Sequence, residues 1–121
     1  MAPATVLVVD DDAEIRNVLR LMLETGGYHV LEAANGRQAV VEILRQPVNL
    51  VLTDLIMPEQ EGIETIQALR RDHPQPRIIA MSGAFGGEFL RIPKLLGAHS
   101  TLQKPLRMDD VLDAVARALA S

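Results

Sequence analysis

Short apolar runs and amphipathic stretches alternate along this chain from one end to the other. Val6 to Val9 are apolar and mostly β-branched, the pattern of a strand buried on both faces. Ile15, Val18, Leu19, Met22 and Leu23 then recur at helical spacing, with Asp11 or Asp12 placed to cap the start and Gly26-Gly27 to end it. Tyr28 to Glu32 predict a second strand, Asn35-Gly36 turn the chain, and Ala39, Val40, Ile43 and Leu44 form a second helical stripe stopped at Pro47. A third strand at Asn49 to Thr53 is followed by a helix marked by Ile63, Ile66 and Leu69, ending near His73-Pro74-Gln75-Pro76. Arg77 to Ser82 predict a fourth strand and His99 to Gln103 a fifth. Met108, Val111, Leu112, Val115 and Leu119 mark a final helix whose stripe is read as core packing. Between strands four and five, Gly83-Ala84-Phe85-Gly86-Gly87 and Pro93 interrupt the place of a fourth helix. Glycine costs about 1 kcal/mol and proline about 3 kcal/mol in a helix interior, so that helix is expected to be short, displaced or broken.

Strict alternation of strands and helices implies a parallel sheet covered by helices on both faces, joined by right-handed crossovers. Five such units fit an α/β, flavodoxin-like doubly wound (βα)5 fold, a three-layer sandwich with strand order 2-1-3-4-5. In that order strands one and three flank the point where the winding reverses, and ligands bind outside the carboxyl ends of the strands there.

The chemistry sits on that rim. Asp10, Asp11 and Asp12 follow strand one, Asp54 follows strand three, Ser82 ends strand four and Lys104 follows strand five. Neighbouring carboxylates repel and are costly to desolvate, so a site that gathers them needs a cation. A divalent metal and Lys104 are the two candidates. Asp12 reads as a helix cap or a solvated charge, and Asp109-Asp110 as acids favouring the start of the last helix through its dipole. His29, His73 and His99 show no metal-ligand spacing and read as structural or surface residues.

Composition narrows the class without choosing within it. The chain has 121 residues, enough for one domain with a real core, and is 48% hydrophobic and 23% charged. A net charge of −4 without a Lys/Arg block argues against a nucleic-acid surface. The absence of Cys rules out disulfides and thiol ligands. No signal-peptide pattern opens the chain and no apolar stretch reaches membrane-span length, so a cytoplasmic protein without membrane contact is expected.

Four elements in register resemble the receiver domain of two-component response regulators. They are Val8-Val9-Asp10-Asp11, Asp54-Leu55-Ile56-Met57-Pro58 with Glu61-Gly62 beyond, Ile78-Ile79-Ala80-Met81-Ser82-Gly83, and Lys104-Pro105. The resemblance covers residues 1–121 as one receiver domain and implies no effector domain in this sequence. It implies that Asp54 accepts a phosphoryl group from the phosphohistidine of a sensor histidine kinase or phosphotransfer protein. Asp11, Asp54 and the backbone carbonyl of Ile56 would bind Mg²⁺ directly, with Mn²⁺ as a substitute, and Asp10 would act through a metal-bound water. Lys104 would pair with Asp54 at rest and with the phosphoryl oxygens afterwards, Ser82 would donate its hydroxyl to the phosphoryl group, and Pro105 would follow a cis peptide bond. A downstream protein would dock on the face of helix four, strand five and helix five. The domain would be a switch and not an enzyme, assisting only its own phosphorylation and slow dephosphorylation.

Two departures bear on the output. Thr101 stands where this family usually carries a Tyr or Phe whose rotamer reports phosphorylation, and the Gly-rich segment replaces a regular fourth helix. The chemistry is therefore expected to be kept and the readout altered. Ile56 and Ala84 offer no side chain to place an attacking water, so a persistent phosphoryl state is expected. Two other functions fit parts of the pattern. One is a receiver fold that docks without being phosphorylated. The other is a haloacid-dehalogenase-like phosphohydrolase using Asp10 as nucleophile in Asp10-x-Asp12. It needs further acidic ligands at the end of a later strand, whereas Asp109-Asp110 fall after Lys104-Pro105 on the last helix.

Overall fold

The computed structural model describes residues 3–54, 61–82 and 98–121. Its elements follow in the order β1 (Thr5–Val9), α1 (Ala13–Thr25), β2 (His29–Ala33), α2 (Gly36–Arg45), β3 (Leu50–Asp54), α3 (Glu61–Asp72), β4 (Arg77–Ser82), β5 (Ser100–Gln103) and α4 (Met108–Ala120). The place of the interrupted helix, with Gly83 to Gly87 and Pro93, lies outside the described residues, as do Ile56 and the side chain of Ile63.

All five strands are parallel and run in the order β2-β1-β3-β4-β5, as the alternation predicted. The central strands β1, β3 and β4 are mostly apolar because each feeds two cores, whereas the edge strands β2 and β5 mix polar and apolar residues. On one face Leu7, Val9, Val51, Ile78 and Ala80 pack with Ala39 of α2 and Ile66 and Leu69 of α3. On the other, Val6, Val8, Leu50, Leu52, Ile79 and Met81 pack with Leu19 and Leu23 of α1 and Val111 and Val115 of α4. Alternation of side chains along each strand produces this division.

Three positions of the predicted stripes come out differently. Val18, Leu44 and Met108 are exposed, not buried. Leu19, Leu23 and Ala39 take the sheet-facing positions, and a stripe wider than the contact seam leaves its edges in solvent. Met108 is the first residue of α4.

The helix ends follow local chemistry. Asp12 caps α1, its carboxylate accepting the Glu14 N–H at 2.9 Å. Asn35 caps α2 by accepting from Gln38 N–H at 2.9 Å, and Gln38 Oε1 in turn accepts from Ala34 N–H at 2.8 Å. The cap position of α4 is Arg107, which makes no side-chain cap bond, and Asp109 and Asp110 fill its first turn instead. After α1 the chain turns through Gly27, whose φ of 91° lies in the left-handed region that glycine reaches without strain.

Candidate functional site

The strand register brings the acids together. Val8 lies opposite Leu52 and Val9 opposite Thr53, so the residues that follow, Asp10 and Asp54, meet at the carboxyl end of β1 and β3. Asp10 continues the row of Val6 and Val8, and Asp54 that of Leu50 and Leu52, on the face shared with α1 and α4. Asp10 is 0% and Asp54 6% exposed, while Asp11 stands in solvent. One carboxylate oxygen from each of Asp10, Asp11 and Asp54 lies within 4.8 Å of the others. The sheet edge supplies the cation: Lys104 N–H donates to Ser82 O at 2.8 Å, tying the end of β5 to the end of β4. The Lys104-Pro105 bond is cis. Lys104 Nζ stands 3.5 Å from Asp10 Oδ2 and 3.5 Å from Asp54 Oδ2.

The two oxygens of Asp10 have different surroundings. Oδ1 accepts the Asp12 N–H at 2.9 Å. Oδ2 is buried and has no hydrogen-bond partner among the described residues, the Lys104 ammonium at 3.5 Å being an ion-pair contact only. Burial pushes the Asp10 carboxyl above the usual carboxylate range, and the charge of Asp11 adds to this. The Asp12 N–H and Lys104 pull the other way without cancelling it. Three carboxylates within reach of one another, with the Lys104 ammonium against two of them among the described residues, are a donor set for a hard cation. Ser82 Oγ is likewise buried without a hydrogen-bond partner among the described residues, at the end of β4.

Two residues that the sequence did not single out complete the arrangement. Arg16 Nη1 donates to the backbone oxygen of Asp10 at 2.6 Å, and Arg16 Nε to Glu32 Oε1 at 3.2 Å. Their only signal was placement: a cation one turn after the Asp12 cap, and an acid near the end of β2. The structure brings Asp10, Asp11, Asp54 and Lys104 into one cluster. Asp12 is a cap, and Asp109-Asp110 lie on α4, where the sequence placed them. Of the histidines, His29 is exposed, and His99 Nδ1 accepts the Ile78 N–H at 2.9 Å.

The profile of the response regulator receiver domain matches residues 6–116. The chain belongs to the response regulator receiver family. It is 40% identical over 115 residues to the transcriptional regulatory protein CpxR of Escherichia coli K12, covering 94% of this chain and 48% of that protein. With the chemotaxis protein CheY of Bacillus subtilis it shares 35% identity over 116 residues, 94% of this chain and 96% of the other. The solved structure of chemotaxis protein CheY4 of Vibrio cholerae superposes with a TM-score of 0.88 at 29% identity, covering 97% of this chain and 99% of that one. This receiver thus spans about half the length of the transcriptional regulator it matches and nearly all of the chemotaxis proteins. It is a signalling domain of the two-component system. No helix among the described residues is long and apolar enough to cross a membrane.

Proposed function

We propose that Asp54 is the phosphoacceptor of this receiver and that Asp10, Asp11, Lys104 and Ser82 serve the transfer. The carrying observation is the single ammonium of Lys104 held 3.5 Å from both Asp10 Oδ2 and Asp54 Oδ2 beside a third carboxylate. An Asp54 carboxylate oxygen attacks phosphorus. The bond from phosphorus to the donor imidazole nitrogen breaks, the imidazole keeps that electron pair, and an acyl phosphate remains. The protein has little covalent work to do beyond positioning and charge balance. Lys104, 3.5 Å from Asp54 Oδ2, would pair with the new phosphoryl oxygens, and the Ser82 hydroxyl, without a hydrogen-bond partner among the described residues, would donate to them. Asp10, Asp11 and Asp54, with the carbonyl of Ile56, would hold Mg²⁺, or Mn²⁺ in its place. When bound, such an ion neutralises the attacking carboxylate and the transferred group together.

The donor in this reading is a histidine kinase or phosphotransfer protein. A groove of about 300 Å³ lies beside Lys104, walled by Ile15, Val18 and Leu19 of α1 and by Pro105 and Leu106. Output passes to a protein through the face that includes β5 and α4, where Thr101, Gln103, Asp110, Asp113 and Arg117 line a polar groove of about 520 Å³. The domain acts in the cytoplasm, without nucleic acid or membrane contact of its own, as a switch and not as an enzyme with turnover.

Intact-mass measurement after incubation with acetyl phosphate, with Mg²⁺ or EDTA, tests the proposal on wild type and Asp54→Asn. One phosphoryl group that needs both the ion and Asp54 is expected. No adduct from acetyl phosphate or from a phosphohistidine donor would leave a docking module that works unphosphorylated.

A further inference from the structure

Asp10 is held at nearly every polar atom it has. Its N–H donates to Ala33 O at 3.1 Å, at the end of β2. Its backbone oxygen accepts from Arg16 Nη1 at 2.6 Å, and its Oδ1 accepts from Asp12 N–H. Oδ2 alone is left to face Lys104 and the other acids. The Arg16 guanidinium is itself fixed. Its Nε is bound to Glu32 Oε1 at 3.2 Å, and Glu32 Oε2 accepts from Arg20 Nε at 2.7 Å. Arg16 is mostly covered, its side chain 18% exposed. The Arg16 N–H also closes the first turn of α1 on Asp12 O at 3.1 Å. One residue therefore joins the end of β2, the start of α1 and the peptide between Asp10 and Asp11.

We propose that Arg16, anchored by Glu32, is a positioning residue for the cation site: it fixes the Asp10–Asp11 peptide so that both carboxylates reach one ion. A planar guanidinium suits the task because its fork can grip a carboxylate and a carbonyl at once, which an ammonium on a flexible stem does poorly. The route is mechanical. Arg16 bonds the Asp10 carbonyl and neither carboxylate, so it orients the acids without competing with a cation for their oxygens. Outer partners of metal ligands commonly matter at this level, costing about 10- to 100-fold in affinity when removed.

The inference rests on the proposed cation-assisted transfer to Asp54, and the experiment separates the two. Mg²⁺ affinity is measured by calorimetry on the unphosphorylated protein, without any phosphodonor, for wild type, Arg16→Ala, Arg16→Gln and Leu23→Val. The last loosens the buried face of the same helix without touching Asp10. The dissociation constant is expected to rise about tenfold or more in both Arg16 variants and to stay level in Leu23→Val. Acetyl phosphate transfer, followed by intact mass, should slow at low Mg²⁺ and recover to within a factor of about three at saturating ion. Arg16→Lys should restore affinity only in part. Unchanged Mg²⁺ affinity in either folded Arg16 variant, whatever its melting temperature, overturns the proposal. So does an equal loss in Leu23→Val. Should Arg16→Ala not fold, Arg16→Gln, which keeps the aliphatic stem, decides the matter. A wild type that binds Mg²⁺ but never accepts a phosphoryl group would count against Asp54 as acceptor while leaving the affinity comparison intact.

Discussion

Lys104 Nζ stands 3.5 Å from Asp54 Oδ2, reaching from the end of β5 across β4 to the end of β3. The same ammonium touches Asp10, so it and an added cation draw on the same carboxylates. Lys104→Met should therefore tighten Mg²⁺ binding by roughly three- to tenfold, the worth of about 1 kcal/mol from one partly screened charge. It should also slow phosphoryl transfer by about a hundredfold, because the developing charge loses its fixed partner. Calorimetry and intact-mass time courses read the two effects separately. Unchanged affinity would show that ammonium and ion do not share ligands.

Burial raises the Asp10 carboxyl above its ordinary value of 3.8. Between that value and the raised one, the folded protein keeps a proton that the unfolded chain has released. Stability without metal then falls as pH rises through this window, and an ionised Asp10 weakens the fold at neutral pH. Asp10→Asn, which keeps an acceptor for the Asp12 N–H, should melt about 3 °C higher in EDTA, the shift made by ~1 kcal/mol in a domain of this size. In saturating Mg²⁺ the order should reverse, since wild type gains binding energy that the variant cannot. Thermal scans in the two buffers check both halves.

His99 behaves in the opposite sense. Its Nδ1 accepts the Ile78 N–H, and its backbone N–H donates to Ile78 O at 2.8 Å, so both groups clamp the start of β5 to β4. Burial, then the charges of Arg70 and Arg77, hold its pKa below the ordinary 6.5. As pH falls below 6.5 the unfolded chain takes the proton first, so this contribution is complete above 6.5 and is lost on acidification. Denaturant unfolding at pH 7.5 and 5.5 should show lower stability at the acid end. His99→Asn, whose amide oxygen can accept the same N–H without titrating, should flatten the difference.

Gly27 carries a cost of backbone alone. Its φ is 91°, and a methyl group added there would meet nothing within 4 Å. Gly27→Ala should destabilise by about 1 kcal/mol, and Gly27→Asn by less, because asparagine tolerates the left-handed region better. Chemical unfolding of the two variants gives the comparison. Equal stability of Gly27→Ala and wild type would show that the turn relaxes.

Much of this was readable before any coordinates. The runs at residues 6–9 and 50–52 are apolar at every position because both faces are covered, and their alternation with amphipathic stretches marks them as parallel strands. Their terminal acids then follow from topology, which is why Asp10, Asp11, Asp54 and Lys104 could be assembled from positions far apart in the chain. Helix faces were harder. Val18 and Leu44 fit the helical period as well as Leu19 and Ala39 do, and only the seat of each helix on the sheet decides which of them meets the core. Arg16 and Glu32 escaped notice for a different reason. Charged residues on a helix and a strand end look like solvated surface until the fold shows that one guanidinium spans both.

The strand order has a consequence in time as well as in space. Synthesis delivers Asp10, Asp11 and Asp54 long before Lys104, and the ammonium arrives only at the end of β5. Contacts between residues so distant in sequence are the slow ones to form, since loop closure must come first. A nascent chain that has paired β1 with β3 therefore holds three acids with no lysine opposite them. Charge balance at this rim belongs to the finished molecule and to none of its segments.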